Sequence, residues 1–468
     1  VKAKRIFTSL FTILCAFYAY AQVSYTHVEL KSINITGNKK TKAIVIFNEL
    51  DVKLGDSLDI SKLQETINRN EKRLQSIGIF TIVKINIIDW DTEKSQLSFD
   101  INVRESWFIY PAPIFEFADR SFNAWWKEHN FSLSRVNYGV RLDHLNTTGY
   151  QDKLKLKFQL GYTRQYELNY SFPYLSKGWG GGVILNYREN KEIPYKTEDN
   201  TLLFYKDPDE RDMLRRFRAG FFITNRNNAY LRQKLRFEIH RNWVDTLVTN
   251  TLNPNYFLDG KNSILFPFLE YDLNYDKRVF PIYPEGGFMY NINIKKSGIT
   301  NNSDYNNLAF EFRGEVHTKL AKNTFAGLAG SVKFNAIRNT LAYANNTAIG
   351  YGIRLRGYDI KVIDGSDFFY LKGALRHQFL YKVLNLGKFM PVKQFKLLPV
   401  AMNIRLSVDS GYVNDRTYAE TNTLNNRLLL GYGPALDILI INNYLFSMEY
   451  NFNQFGGRDL YLQSSFNF

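Results

Sequence analysis

From about Trp107 to Phe468 the chain keeps a period of two, and this alternation limits the fold more than any other feature of the sequence. Leu154, Leu156, Phe158 and Leu160 alternate with Lys153, Lys155, Lys157 and Gln159. Tyr166, Leu168, Tyr170 and Phe172 alternate with Glu167, Asn169 and Ser171. The same pattern returns in 265–275, 308–316, 400–408, 444–452 and 460–468. A strand places successive side chains on opposite faces, so each segment reads as a strand with one apolar face. Roughly sixteen such segments fit, about 22 residues per strand and connection. A soluble all-β protein would also alternate. The run is too long for one sandwich, however, and its apolar face is rich in aromatic residues. The strand number is even, as a closed antiparallel barrel requires. A membrane β-barrel over residues 107–468 follows, with tight turns such as 147–149 and 225–228 alternating with long polar loops such as 189–213 and 339–367.

Composition agrees. Aromatic residues make up 16% of the chain, with 31 Tyr and 37 Phe, enough to supply girdles at two membrane interfaces. After the N-terminal segment no run approaches 18 consecutive apolar residues, so no transmembrane helix is expected. Residues 1–21 read as a signal peptide: Lys2, Lys4 and Arg5, an apolar stretch from Ile6 to Phe17, then Ala19-Tyr20-Ala21 as a small-x-small cleavage site. Loss of those three cations lowers the formal charge from +15 to +12. On an exported chain such charge points to anionic lipid or lipopolysaccharide rather than nucleic acid. The single cysteine, Cys15, lies in that leader, which leaves no disulfide and no thiolate metal site.

Residues 24–106 have a different rhythm. Val28–Ile35 alternates as a strand and stops at Gly37-Asn38. Residues 41–50 read as a helix capped by Thr41 with Ile44, Phe47 and Leu50 on one face. Gly55-Asp56 breaks it. A second helix, with Ser61 as its cap, carries Leu63, Ile67, Leu74 and Ile77 and ends at Gly78. Residues 80–88 and 97–103 are strands, giving a β-α-α-β-β module of α+β class.

The quoted motifs resemble a family. The module's Ile33-x-Ile35-x-Gly37-Asn38-x-x-Thr41, Gly55, Leu74-x-x-x-Gly78-x-Phe80-x-x-Val83 and Val103-x-Glu105 are similar to a POTRA domain. Leu355-Arg356-Gly357-Tyr358 resembles the loop motif, and Ser407-Val408-Asp409-Ser410-Gly411 the strand motif, of the outer-membrane assembly-factor superfamily of BamA- and TamA-like proteins, also called bacterial surface antigens. Ser407 stands where that strand motif usually has an aromatic residue. Asp276-Lys277-Arg278 with Pro281 and Gly286-Gly287 resembles its strand-entry segment. The resemblance implies one POTRA domain in the periplasm and a 16-stranded barrel in the outer membrane of a Gram-negative bacterium. It implies a non-enzymatic insertase or translocase without cofactor or metal. The expected partners are unfolded outer-membrane or secreted clients, outer-membrane lipid or lipopolysaccharide, and accessory periplasmic proteins. A dedicated secretion pore for one partner is the alternative, and a barrel enzyme ranks below both.

The resemblance also implies that Arg356 folds inward with its loop to meet Asp409. Periodicity agrees: Val400, Met402, Ile404, Leu406 and Val408 share the lipid face, so Arg405, Ser407 and Asp409 lie on the lumen face. The alternating Leu460, Leu462, Phe466 and terminal Phe468 resemble the signal by which such barrels are assembled. Pro111 and Pro113 interrupt the first strand and Gly456-Gly457 precedes the last, so the seam between them should carry few ladder bonds. A weak seam, and the edge of strand 80–88, are surfaces on which a client strand could add. Asp143-His144 reads as a polar pair at a strand end. No G-x-S-x-G, H-E-x-x-H, P-loop or dinucleotide fingerprint is present.

Overall fold

The computed structural model describes residues 26–466, apart from 177, 227–229, 279–280, 300–302, 338, 386, 388–396 and 441–443. The leader at 1–21 and the terminal Phe468 lie outside the described residues. Backbone contacts divide the chain into two compact units: Val1–Tyr110 with His144–Asp152, and Pro111–Asp143 with Lys153–Phe468.

The first unit is built on β1 (His27–Thr36), α1 (Ala43–Glu49), β2 (Ser57–Asp59), α2 (Leu63–Ser76), β3 (Phe80–Asp91) and β4 (Gln96–Glu105). Its sheet has the order β2-β1-β4-β3, with β1 parallel to β4 and the other pairs antiparallel. The short β2, which alternation alone did not reveal, adds to the edge of β1. Leu30, Val45, Ile46, Leu63, Ile67, Leu74, Val83, Phe99 and Ile101 are buried together as its core. Burial of an apolar side chain of this size is worth about 1.5–3 kcal/mol, and burial on one side of a sheet is what holds two short helices there.

Three expectations for this unit need correction. Thr41 does not cap α1: its hydroxyl accepts from Asn146 Nδ2 at 2.8 Å and its backbone N–H donates to Glu105 Oε1 at 2.6 Å. Lys42 occupies the cap position without a side-chain bond. The buried face of α1 is Val45 and Ile46, while Ile44 and Phe47 are exposed, because a seven-residue helix turns only part of its surface toward the sheet. Ser61 is likewise not the cap before α2; the carboxylate of Asp59 accepts from Ser61 N at 2.9 Å and begins a short 3-10 turn there. Gly37 has φ +86°, and a Cβ there would lie 1.9 Å from Val103 O. Beside it Asn38 Nδ2 donates to Thr41 O at 2.9 Å.

The second unit is a sixteen-stranded antiparallel sheet. Its strands are β5 (Ile109–Phe117), β6 (Val136–Leu145), β7 (Lys153–Gly161), β8 (Thr163–Ser176), β9 (Trp179–Asn190), β12 (Leu214–Asn225), β13 (Leu231–Val244), β14 (Ser263–Asp276), β15 (Gly287–Ser297), β16 (Asn307–Ala321), β17 (Thr324–Asn335), β20 (Asp367–Asn385), β21 (Leu397–Asn414), β22 (Leu429–Ile440), β23 (Tyr444–Asn453) and β24 (Arg458–Phe466). Two loop hairpins, β10 (Glu192–Glu198) with β11 (Thr201–Lys206) and β18 (Thr347–Ile349) with β19 (Ile363–Asp364), fill the numbering. Consecutive strands are neighbours throughout, and β5 and β24 are the two ends of the order. The sheet forms the wall of a barrel. Alternation sets its faces: Ile404, Leu406 and Val408 are 52–58% exposed on the outside, while Asn403, Arg405, Ser407 and Asp409 are buried within. Large aliphatic side chains left bare on one side of every strand are what a lipid-facing wall needs.

β5 runs through Pro111 and Pro113 rather than breaking at them. Phe108 O accepts from Leu145 N, and Ala118 N donates to Arg135 O. Even-numbered positions therefore address β6, and the two prolines present their missing N–H to the open side. That is where an edge strand tolerates proline. Among the described residues no ladder pairs β5 with β24.

Gly37→Ala should cost the first unit more than Gly55→Ala, about 3 kcal/mol against about 1, since both glycines have positive φ but only Gly37 lacks room for a Cβ. Hydrogen exchange of the β1 and β4 amides in the whole protein measures the difference; equal protection in the two variants would contradict it.

Candidate functional site

The site grows from the loop between β17 and β20. Hydrophobic burial seats it first: Leu355 and Tyr358 pack with Ile349, Ile363, Phe368, Val413 and Leu429 against the barrel wall. Two wall glycines allow the backbone that close. A Cβ at Gly431 would lie 1.8 Å from Arg356 O, and one at Gly411 would press on Ile349 and Leu355 at 3.3 Å. Gly357 turns the tip with φ +76°, its carbonyl taken by Asn453 Nδ2 at 2.6 Å. Tyr358 donates its hydroxyl to Leu430 O at 3.3 Å.

With the loop so placed, Arg356 points at two carboxylates. Its Nη1 lies 2.5 Å from Asp409 Oδ1 and its Nε lies 3.2 Å from Glu449 Oε2. The other oxygen of Asp409 accepts the backbone N–H of Arg356 at 3.2 Å. The guanidinium thus divides between two acids instead of forming a two-pronged fork on Asp409 alone. Glu449, on β23, is the common point. It also takes Arg354 Nη2 at 2.6 Å and Arg405 Nη2 at 2.9 Å. Arg354 continues to Asp359 at 2.8 Å, and Arg405 to Asp437 at 2.7 Å. Lys372, cross-strand from Asp409, donates to Arg354 O at 2.5 Å. Four cations and four carboxylates are interleaved in one buried network. Charges out of water are tolerated only when paired this fully.

The network reaches both ends of the barrel. At the end of the short turns, Tyr283 from the β14–β15 connection donates its hydroxyl to Asp437 Oδ2 at 2.7 Å, and Arg376 stacks over its ring at 4.0 Å. In that connection Arg278 forks onto Asp276 at 2.8 and 3.0 Å and reaches Glu315 at 2.7 Å. Gly287 allows the turn, since a Cβ there would sit 2.2 Å from Lys277 O. At the end of the long loops, Asn200 Nδ2 donates to Asn425 Oδ1 at 2.9 Å, and Asn200 O accepts from Val362 N at 2.9 Å. Asp364 lies beside this tie, outside the spanning strands. Burial raises its carboxyl to about 6, with Asp415 adding repulsion, against bonds from Thr197 and Tyr351 that act the other way.

Residues 28–106 match the POTRA model, a surface antigen variable number repeat, and residues 146–440 match the Omp85 superfamily domain. The second match spans 295 residues (440 − 146 + 1) of 468. The chain belongs to the Omp85 superfamily. It is similar in structure to BamA from Haemophilus ducreyi lacking POTRA domains 1-3, at 12% identity and TM-score 0.61, over 94% of this chain and 84% of that one. CdiB from Escherichia coli is similar at 11% identity and TM-score 0.56, over 94% and 75%. CdiB from Acinetobacter baumannii is similar at 11% and 0.53, over 94% and 73%. At such identities these likenesses speak for the fold alone. No curated protein matches the chain. Members of the superfamily are outer-membrane barrels with periplasmic POTRA domains, and they are transporters and insertases rather than enzymes.

Within this Omp85 barrel the residues singled out in the sequence fall into separate places. Leu355, Arg356, Gly357, Tyr358, Asp409 and Gly411 come together. Ser407, which replaces an aromatic residue, is buried and accepts from Arg405 Nη1 at 2.8 Å, so its small hydroxyl makes room for the guanidinium. Gly37, Asn38, Gly55, Gly78 and Phe80 belong to the first unit. Gly55 and Gly78 take positive φ at its turns, and Phe80 is buried. Leu460 and Leu462 lie on β24 and Phe466 ends it. Asp143 pairs with Arg141 at 2.9 Å as a polar strand-end contact. Sequence reasoning placed Arg405 on the lumen face but did not single out Glu449, Arg354 and Asp437. The alternation of 444–452 held the signal for Glu449, because Phe446, Met448 and Tyr450 face outward and leave it inside.

Arg356→Ala should leave the barrel folded and make the loop 336–366 cleavable by protease in intact membranes, while the wild-type loop resists. Equal resistance would remove Arg356 from its holding role. Asp364 gives a pH test. Its folded pKa is about 6 against an ordinary 3.8, so its share of stability is fully present below 3.8 and is lost as pH rises through 6. Loop protection should therefore fall between about pH 4 and 6 and level off above that, and Asp364→Asn should flatten that dependence in a pH series of hydrogen exchange.

Proposed function

We propose that this protein is an outer-membrane insertase or translocase that takes unfolded outer-membrane or secreted clients from the periplasm and passes them at the seam between β5 and β24. The observation that carries the reading is the seam itself. Pro111 and Pro113 deprive β5 of two donors on its open side, and no ladder joins it to β24 among the described residues. An edge with free backbone groups is a template for an added strand. A route through the lumen would instead break the Arg354–Arg356–Arg405–Glu449 network, each buried pair of which is costly to separate. Client folding supplies the driving free energy, and no nucleotide is needed. The edge strand β3 of the POTRA domain is a second place where a client segment could add. On this reading the protein sits in the outer membrane of a Gram-negative bacterium, with the POTRA domain in the periplasm, anionic lipid or lipopolysaccharide against its basic surface, and accessory periplasmic proteins as further partners.

A dedicated secretion pore for one partner is the second reading. Depletion followed by quantitative proteomics of the outer membrane separates the two. The first reading expects many barrels to fall several-fold together. Loss of one surface or secreted protein with barrels intact would select the second, and no change in either would contradict both.

A further inference from the structure

The loop after β5 carries a six-residue helix, α3 (Phe122–Lys127), that touches both sides of the seam. On the β5 side, Trp125 stacks on Phe117 at 4.2 Å, and Ser121 caps the helix by accepting from Ala124 N at 3.0 Å. On the β24 side, the fully buried Asn123 donates from Nδ2 to Leu460 O, and its Oδ1 accepts from Leu462 N at 3.3 Å. A carboxamide has the donor and acceptor of a peptide group. Joining O of one residue to N–H two positions on is how one residue of a parallel neighbouring strand engages an edge. Lys127 pairs with Asp459 on the same strand. The lumen side of the intervening residue is held as well, by Arg354 stacked 3.8 Å over Tyr461. Arg120 ties the two loops together by donating to Ile360 O and pairing with Glu128 at 2.5 Å.

We propose that Asn123 is a gating residue: its side chain occupies the open edge of β24 in place of a strand, and α3 must withdraw before a client strand can pair there. The inference rests on the seam reading of the proposed function and adds the element that keeps the edge closed at rest. It explains why an edge with free backbone groups does not recruit strands at random, a hazard that proteins otherwise block with charge or proline. It also orders the events. Because Arg120 and Arg354 link α3, the inward loop and Tyr461, release of the loop and release of β24 are coupled.

The test uses the whole protein in lipid nanodiscs, in a Cys15→Ser background, with spin labels at Phe115→Cys on β5 and Met448→Cys on β23, both outward-facing. Pulsed dipolar spectroscopy reads the distance across the seam. Asn123→Asp keeps the shape but sets a carboxylate oxygen against Leu460 O, and Asn123→Ala removes both bonds. Each should raise the population at long distance about 3- to 10-fold, as loss of one or two hydrogen bonds implies. An unchanged distribution in folded variants, judged by heat-modifiable mobility, would overturn the proposal. Should neither variant fold, Lys127→Met with Asp459→Asn loosens the same contact from its solvent side and is read by the same criterion. Client assembly is followed separately. Wider distances with unaltered client handling would uphold the clasp and count against the insertase reading, so the two fail independently.

Discussion

A carboxylate with three guanidiniums around it, Glu449, is the interaction on which the long-loop end of this barrel depends. Two of the three, Arg354 and Arg356, come from the loop, and the third, Arg405, from the wall. Inside a protein wall an unpaired charge costs several kcal/mol, so the loop cannot leave without taking two of the three cations from Glu449 and the guanidinium from Asp409, and loss of Glu449 would leave Arg405 to Asp437 alone. The positions of Gly357, Gly411 and Gly431 follow from this. Each is a point where the loop or wall approaches too closely for a side chain, and that approach brings the charges to hydrogen-bonding distance.

The same arrangement links the lumen to the seam. Arg354 serves Glu449 and also stacks on Tyr461 of the last strand, whose open edge Asn123 covers. β5 gives up ladder bonds through its prolines, and β24 takes a side chain where a strand would sit. Among the described residues the sheet is therefore joined through fifteen strand pairings and by no ladder between β5 and β24, and that place is held by loops. On the proposed function, opening for a client and closing again would draw on that distribution of strength.

Much of this was legible in the alternation. Period two located the barrel strands, placed Asp409 inside, and set the loop motif between the eleventh and twelfth of them. It would have placed Glu449 inside too, by the parity of Phe446 and Met448. What alternation cannot report is pairing across space. Arg356 has several inward acids within reach of its long side chain, and only the packed loop decides that it divides between two. The α3 clasp was hidden for a related reason: a six-residue helix has too few turns to show a period, and Asn123 looks like any polar loop residue. The cap assigned to α1 failed because Thr41 answers to tertiary bonds with Glu105 and Asn146, which local propensity does not contain, and the stripe failed because the seven-residue helix buries Val45 and Ile46 instead of Ile44 and Phe47.

The most direct measurement is a double-mutant cycle between Arg356→Gln and Glu449→Gln, read by reversible unfolding of the barrel from lipid. A shared, buried charge contact predicts a coupling of about 2 kcal/mol or more, with the double variant less damaged than the sum of the singles. Additive effects, with coupling near zero, would mean that Glu449 does not share its charge with the loop and would contradict the account.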